Sequence, residues 1–341
     1  MKTRSARIRW AIFSAVTCIS FGQSDVRAAD LPQAGCIWQA SDTLSVDSDA
    51  STDAADCLAG LRWKPTDFMI TAETAGDSEG ELRIRFPSPH PSGDAANDSV
   101  CLEWYPSRDL NGRPQRAPAV VIVHESGRSM AVGRAFARGL NAMGMHTFLL
   151  HMPGYGARRS PATERPDFLL TGMRQAIADV RRSRDAVAAL PLIDTSQIAL
   201  QGTSLGGFVT ATVAGLDRGF QKIFVLLAGG HIDRVVLEGA RDAAKIRLRL
   251  EQAGVSETQI RDLARRIEPL RLAHRIDSQN TWLFSAKHDT VVPPACSAAF
   301  AVAAGLPESH HIVLTANHYS GVLFMPAIFA QIRTLMAAKT P

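Results

Sequence analysis

Residues 197–208 read QIALQGTSLGGF, and this stretch decides the fold. Ile198, Ala199 and Leu200 form a short apolar run of the kind that builds a strand buried on both faces. Gly202, Gly206 and Gly207 then punctuate a sharp turn, and an apolar helical pattern follows. A serine between two such glycines, at a strand-to-helix turn, is lifted above a sheet at a helix N-terminus. There the helix dipole favours developing negative charge. Ser204 is therefore the candidate nucleophile. The pattern Gly-x-Ser-x-Gly also occurs at Gly76–Gly80, around Ser78. That copy sits in a polar turn beside Asp77 and Glu79, which oppose forming an alkoxide, and has no strand-to-helix setting.

Outward from this stretch, strands and helices alternate. AVVIVHES (119–126), MHTFLLHMPG (145–154), KIFVLLAGG (222–230), NTWLFSAKHD (280–289) and SHHIVLTANH (309–318) read as strands. LTGMRQAIADVRRSRDAVAAL (170–190) has apolar residues at helical spacing. Such alternation predicts an α/β architecture, a mostly parallel sheet of about eight strands with helices on both faces. Upstream, FMITAETAGDSEGELRIRFPSP (68–89) reads as a hairpin turning at Gly76–Gly80. With SVCLEWYPS (99–107) it supplies an antiparallel N-terminal edge. Residues 29–62, rich in Ala, Ser and Asp, read as an irregular extension. The gap between two strands at about 232–277 is too long for an ordinary crossover, and its charged helical pattern predicts a cap over the strand ends.

A serine hydroxyl needs a base, and the base needs an orienting acid. Asp289 and His318 each close a strand, at the same sheet edge as Ser204. Asp233 is the rival acid, and His231, His288, His310 and His311 are rival bases. Two backbone N–H groups are needed for an oxyanion. Leu205 supplies one as the residue after the serine. The loop His124-Glu125-Ser126-Gly127 supplies the other, from Ser126 or alternatively Glu125.

With VIVHESG, LHMPGYGAR, GTSLGGF, AKHDTVVPP and ANHYSG together, the chain from about residue 116 resembles an α/β-hydrolase. It is most similar to the branch of dienelactone hydrolases and acetyl esterases. The resemblance implies an α/β-hydrolase domain over 63–341 and hydrolysis of a small-molecule carboxylic ester through an acyl-enzyme, with no cofactor and no metal. Dienelactone hydrolases use cysteine where Ser204 stands, which argues against that reaction itself. They also carry a glutamate near the nucleophile, so Glu125 has two readings: it approaches Ser204 and tunes it, or it turns away and fixes the loop. Tyr155 and Arg158 border the expected pocket, as substrate contacts or as loop packing. A serine peptidase of related fold and a catalytically silent binding protein are the alternatives.

Lys2, Arg4, Arg7 and Arg9, followed by an apolar run from Trp10 to Phe21, predict a secretion signal cleaved after Ala28 and a periplasmic or secreted protein. No later stretch reads as long and apolar enough to span a bilayer, so no membrane insertion is expected after cleavage. The chain has 37 basic and 33 acidic residues, of which residues 1–28 hold five and one. The rest is neutral overall, so nucleic acid is not an expected partner. Cys36, Cys57, Cys101 and Cys296 follow the signal. A Cys36–Cys57 staple and four free thiols are both compatible with export.

Overall fold

The computed structural model describes residues 30–164 and 168–338. The expected signal, residues 1–28, lies outside them. Ten strands form one sheet: β1 (Ile37–Ala40), β2 (Phe68–Thr74), β3 (Leu82–Pro87), β4 (Ser99–Tyr105), β5 (Ala117–Val123), β6 (His146–His151), β7 (Ile193–Thr203), β8 (Lys222–Leu226), β9 (Thr281–Ala286) and β10 (His311–Leu314). Their order is β1-β2-β3-β4-β6-β5-β7-β8-β9-β10. From β6 to β10 every pairing is parallel, whereas β1 to β4 form an antiparallel meander that joins β6.

The pleat divides the interior into two cores. Along β5, Ala119, Val121 and Val123 face one core, and Val120 and Ile122 the other. Both sets are fully buried, which explains the unbroken apolar run. Helices α4 (Phe168–Ala188), α5 (Leu205–Ala214) and α9 (Pro294–Ala303) cover the first face with Val180, Val209 and Phe300. Helices α3 (Ala131–Ala142) and α10 (Met325–Ala337) cover the second, and Phe136 and Phe329 meet edge to face at 5.1 Å. A single-turn helix, α2 (Ala95–Asp98), precedes β4.

Two features differ from the sequence expectation, and a third decides between two open readings. First, the extension is not irregular. Its β1 pairs with β2, and helix α1 (Thr52–Leu61) is N-capped by Ser51 and buries Ala54, Cys57, Leu58 and Leu61. Those positions have helical spacing, which the surrounding Ser and Asp disguise. β1 also raises the strand number above the expected eight. Second, the run Ser320–Ala337 has the length and apolarity to cross a bilayer. Here it forms a 3-10 turn and α10, whose Ile328, Ile332 and Met336 are buried in the second core. Third, Cys36, Cys57, Cys101 and Cys296 are all unpaired, so the Cys36–Cys57 staple is absent.

The insertion folds as α6 (Ile232–Glu238), α7 (Asp242–Gln252) and α8 (Glu257–Arg265), the last opened by a Ser256–Gln259 capping box. Leu250, Ile260 and Ala264 anchor it in the first core. Because Val123 pairs with Gly202, Thr203 with Leu226, and Leu226 with Phe284, the loops after β5, β7, β8 and β9 leave the sheet at one edge.

Candidate active site

Ser204 stands between β7 and α5 with φ 54° and ψ −116°, a conformation that costs a non-glycine residue on the order of 1–3 kcal/mol. Its surroundings impose this. Ser204 N–H donates to the Leu226 carbonyl at 2.9 Å, which ties the turn to β8. Gly206 N–H donates to the His124 carbonyl at 3.1 Å. A Cβ on Gly206 would lie 2.5 Å from that same oxygen, and closer still to the Val123 oxygen. Glycine is thus required for the turn to dock against the end of β5.

The half-buried Ser204 Oγ lies 3.0 Å from His318 Nε2. His318 Nδ1 lies 2.7 Å from Asp289 Oδ2. Asp289 is 6% exposed, and its other oxygen accepts the N–H groups of Val291 and Val292 at 2.8 and 2.9 Å. The carboxylate can only accept, so His318 Nδ1 carries the proton and Nε2 presents a lone pair to the serine. The structure thus brings together three side chains 29 to 114 residues apart.

Three of the rivals are engaged elsewhere. His310 Nδ1 lies against the carbonyls of Ser278 and Thr281, and His311 bonds the Ser285 hydroxyl. Asp233 pairs with Arg261. Ser78 sits in the β2–β3 turn, and β4, β6 and β5 intervene between β3 and β7.

Leu205 N–H lies in the first turn of α5, where no intrahelical acceptor exists. Ser126 is held by its carbonyl, which accepts the Tyr155 hydroxyl at 3.2 Å. Burial, reinforced by the Glu125 charge, pushes the Tyr155 phenol up to about 12, so it stays a donor. Of the two readings of Glu125, the contacts match the second. Its two oxygens accept the N–H groups of Val132 and Gly133 at 3.2 and 3.0 Å, closing the N-terminus of α3. Arg158 does not border the cleft. It is fully buried, pairs with Asp179 at 2.7 Å and donates to the carbonyls of Asn97 and His151.

Two positions went unread in the sequence. His124 is fully buried; its Nδ1 lies 2.6 Å from its neighbour's carbonyl at Glu125, and Nε2 accepts Met152 N–H at 3.2 Å. Burial depresses it to about 3, so it stays neutral and pins the loop after β5 to that after β6. Tyr319, next to His318, donates to Asp242 of α7 at 2.9 Å, and Arg241 lies over its ring at 5.1 Å. That hydrogen bond ties α7 of the insertion to the loop after β10. Beside these residues opens a cleft of about 840 Å³, with Ser126, Tyr155 and Leu205 in its wall and α7 along one side.

No family model and no curated protein matches the chain. Solved structures do. An acetyl xylan esterase from Paenibacillus sp. R4 is similar over 85% of this chain and 96% of its own, at 16% identity and a TM-score of 0.61. An α/β hydrolase, GrgF, from Penicillium sp. sh18 covers 70% and 93%, at 17% identity and 0.53. Est1E from Butyrivibrio proteoclasticus covers 71% and 96%, at 17% identity and 0.51. Sheet order, the turn at Ser204 and these likenesses agree that the chain has the α/β-hydrolase fold.

Proposed function

We propose that this protein is a serine hydrolase that cleaves carboxylic esters through an acyl-enzyme intermediate. The observation that carries the reading is the relay from Ser204 Oγ through His318 to Asp289, at 3.0 and 2.7 Å, on a strained turn that heads a helix. Ser204 Oγ attacks the ester carbonyl while its proton passes to His318 Nε2. The carbonyl π electrons move onto oxygen, which faces the N–H groups of Leu205 and Ser126. Collapse breaks the bond to the alcohol oxygen, and the leaving alkoxide takes the proton from His318. Water then gives a proton to His318 and attacks the acyl carbon, releasing the acid and restoring Ser204. Asp289 holds the ring and balances the transient imidazolium.

Labelling with a fluorophosphonate, followed by assays on 4-nitrophenyl esters of several chain lengths, tests the reading. Labelling abolished by Ser204→Ala together with ester turnover is expected. Labelling that persists in that variant removes Ser204 from the role, and faster cleavage of peptide amides than esters turns the reading to a peptidase. We also propose that the protein lies outside the cytoplasm, which the basic start and the apolar run from Trp10 to Phe21 support. Export fractions should yield a chain beginning at Ala29, and a cytoplasmic chain retaining Met1 contradicts export.

A further inference from the structure

We infer that the cleft beside Ser204 selects esters that carry a separate, free anionic group, received by Arg128 and Arg249. This inference rests on the reading of Ser204 as nucleophile. Part of the cleft's lining is apolar, with Met152, Phe168, Met173, Ala176 and Ile246, which suits a hydrocarbon or aromatic body. Its charged lining is one-sided. Among the described residues, Arg128 comes from the loop after β5, Arg159 from the loop after β6, and Lys245 and Arg249 from α7, against a single acid, Asp242.

That acid is already engaged, by Lys245 Nζ and by the Tyr319 hydroxyl, both at 2.9 Å. Glu125, the other carboxylate close by, is held by the N-terminus of α3. Among the described residues, Arg128 and Arg249 form no ion pair with a carboxylate, and both are exposed. Both line the same cleft as Tyr155, whose hydroxyl bonds the Ser126 carbonyl. Two guanidinium groups from separate segments, the loop after β5 and α7, thus line the same cleft as Ser126 and Leu205.

The chain beyond the first 28 residues carries no excess of basic residues, so this is a local field. A cleft lined by one sign of charge concentrates ligands of the other, and guanidinium forks match planar carboxylates and tetrahedral oxyanions alike. A neutral ester gains nothing from that lining. An acetyl group alone would leave most of the 840 Å³ empty.

The test compares matched esters on the full mature protein. 4-Nitrophenyl valerate against mono-4-nitrophenyl glutarate places the anion on the acyl side. Methyl 4-acetoxybenzoate against 4-acetoxybenzoate places it on the alcohol side. 4-Acetoxyphenyl sulfate and phosphate separate a carboxylate from other anions. In one of these pairs kcat/KM should favour the anionic member by roughly tenfold at low salt, with the preference collapsing at high salt.

Arg249→Glu and Arg128→Glu should each reduce that ratio by about tenfold. Arg113→Glu, an equal charge change at an exposed position outside the cleft, should keep it. A wild-type preference for every neutral member, or a ratio that neither variant moves, overturns the inference and leaves the hydrolase reading intact. If no ester is turned over and no label is taken up, the hydrolase reading falls. Calorimetric titration with terephthalate then decides the subsite: binding lost in Arg249→Glu retains it, and absence of binding overturns it.

Discussion

At the sheet edge that carries Ser204, the strands are held by apolar burial: Val121, Val123, Leu200 and Val225 are each 0% exposed. The lead-in over residues 30–62 adds to its β1 ladder and the apolar face of α1 a set of charged ties to distant segments. Asp42 takes the guanidinium of Arg182 at 2.8 Å and the Trp63 indole N–H at 2.6 Å. Thr43 donates from backbone and side chain to Asp185, 142 residues away. Asp49 binds Arg275 and His274, while Asp53 binds Arg265 at the end of α8 and Arg271 beyond it. The first region builds an edge on which a strained serine stays put. The second straps the chain across α4 and the insertion, and lends the site no side chain. Apolar strands announce themselves locally, because burial needs consecutive apolar residues. Ion pairs between distant segments leave no such trace.

The comparison can be broken at either end. The largest effect belongs to the edge. Ser204→Ala should lower kcat by about 10⁴-fold or more, roughly 5.5 kcal/mol of barrier, with the thermal midpoint nearly unchanged. A large loss of stability would mean that the serine is part of the scaffold. Next comes the strap. Arg181 is 1% exposed and pairs with Asp217 at 2.8 Å and Asp185 at 3.0 Å. Arg181→Met leaves both carboxylates without this partner and should cost about 3–5 kcal/mol in a urea titration. Residues 30–62 should become sensitive to protease while the folded enzyme still turns over substrate.

Acid should act on the edge through His124. Burial lowers it from 6.5 to about 3, so between those values the unfolded chain binds a proton that the native chain does not. Stability then rises with pH across that window and is lost on acidification, by up to about 1.4 kcal/mol per pH unit for this one group. Burial also lowers His90, His146 and His311, with the same sign. Glu103 joins only below 4.5: burial alone would raise it, but hydrogen bonds from His151 and Arg134 outweigh that and hold it at about 2. His124→Gln should flatten the slope between pH 6.5 and 4.5, measured as the denaturation midpoint at successive pH values. An unchanged slope would remove His124 as its source. The smallest effect is at the cap. Tyr319→Phe deletes one exposed hydrogen bond to Asp242 and should cost under about 1 kcal/mol, with a change in KM as the more sensitive reading.

Much of the site was legible because its parts sit at strand ends, and strand ends are visible as the close of an apolar run. Ser204, Asp289 and His318 could each be placed at one edge before any contact was known. Glu125 could not be assigned, because its role depends on whether the N-terminus of α3 lies within reach. Arg158 likewise had two readings, substrate contact or loop packing, and its guanidinium turns inward to Asp179, as the second has it. Helix α1 was missed although Ala54, Cys57, Leu58 and Leu61 mark a helical face, since four apolar positions among serines and aspartates carry little signal until a core exists to bury them.

The sequence by itself determined the alternation of strands and helices, the turn that exposes Ser204, and the chain order of serine, acid and histidine. These follow from periodicity and from the steric demands of glycine, which act over a few residues. Only the tertiary structure decided that four cysteines stay apart, that Asp42 and Asp185 hold the lead-in, and that cations from separate segments line one cleft. Those outcomes depend on distances between residues far apart in sequence, and a chain acquires such distances only by folding.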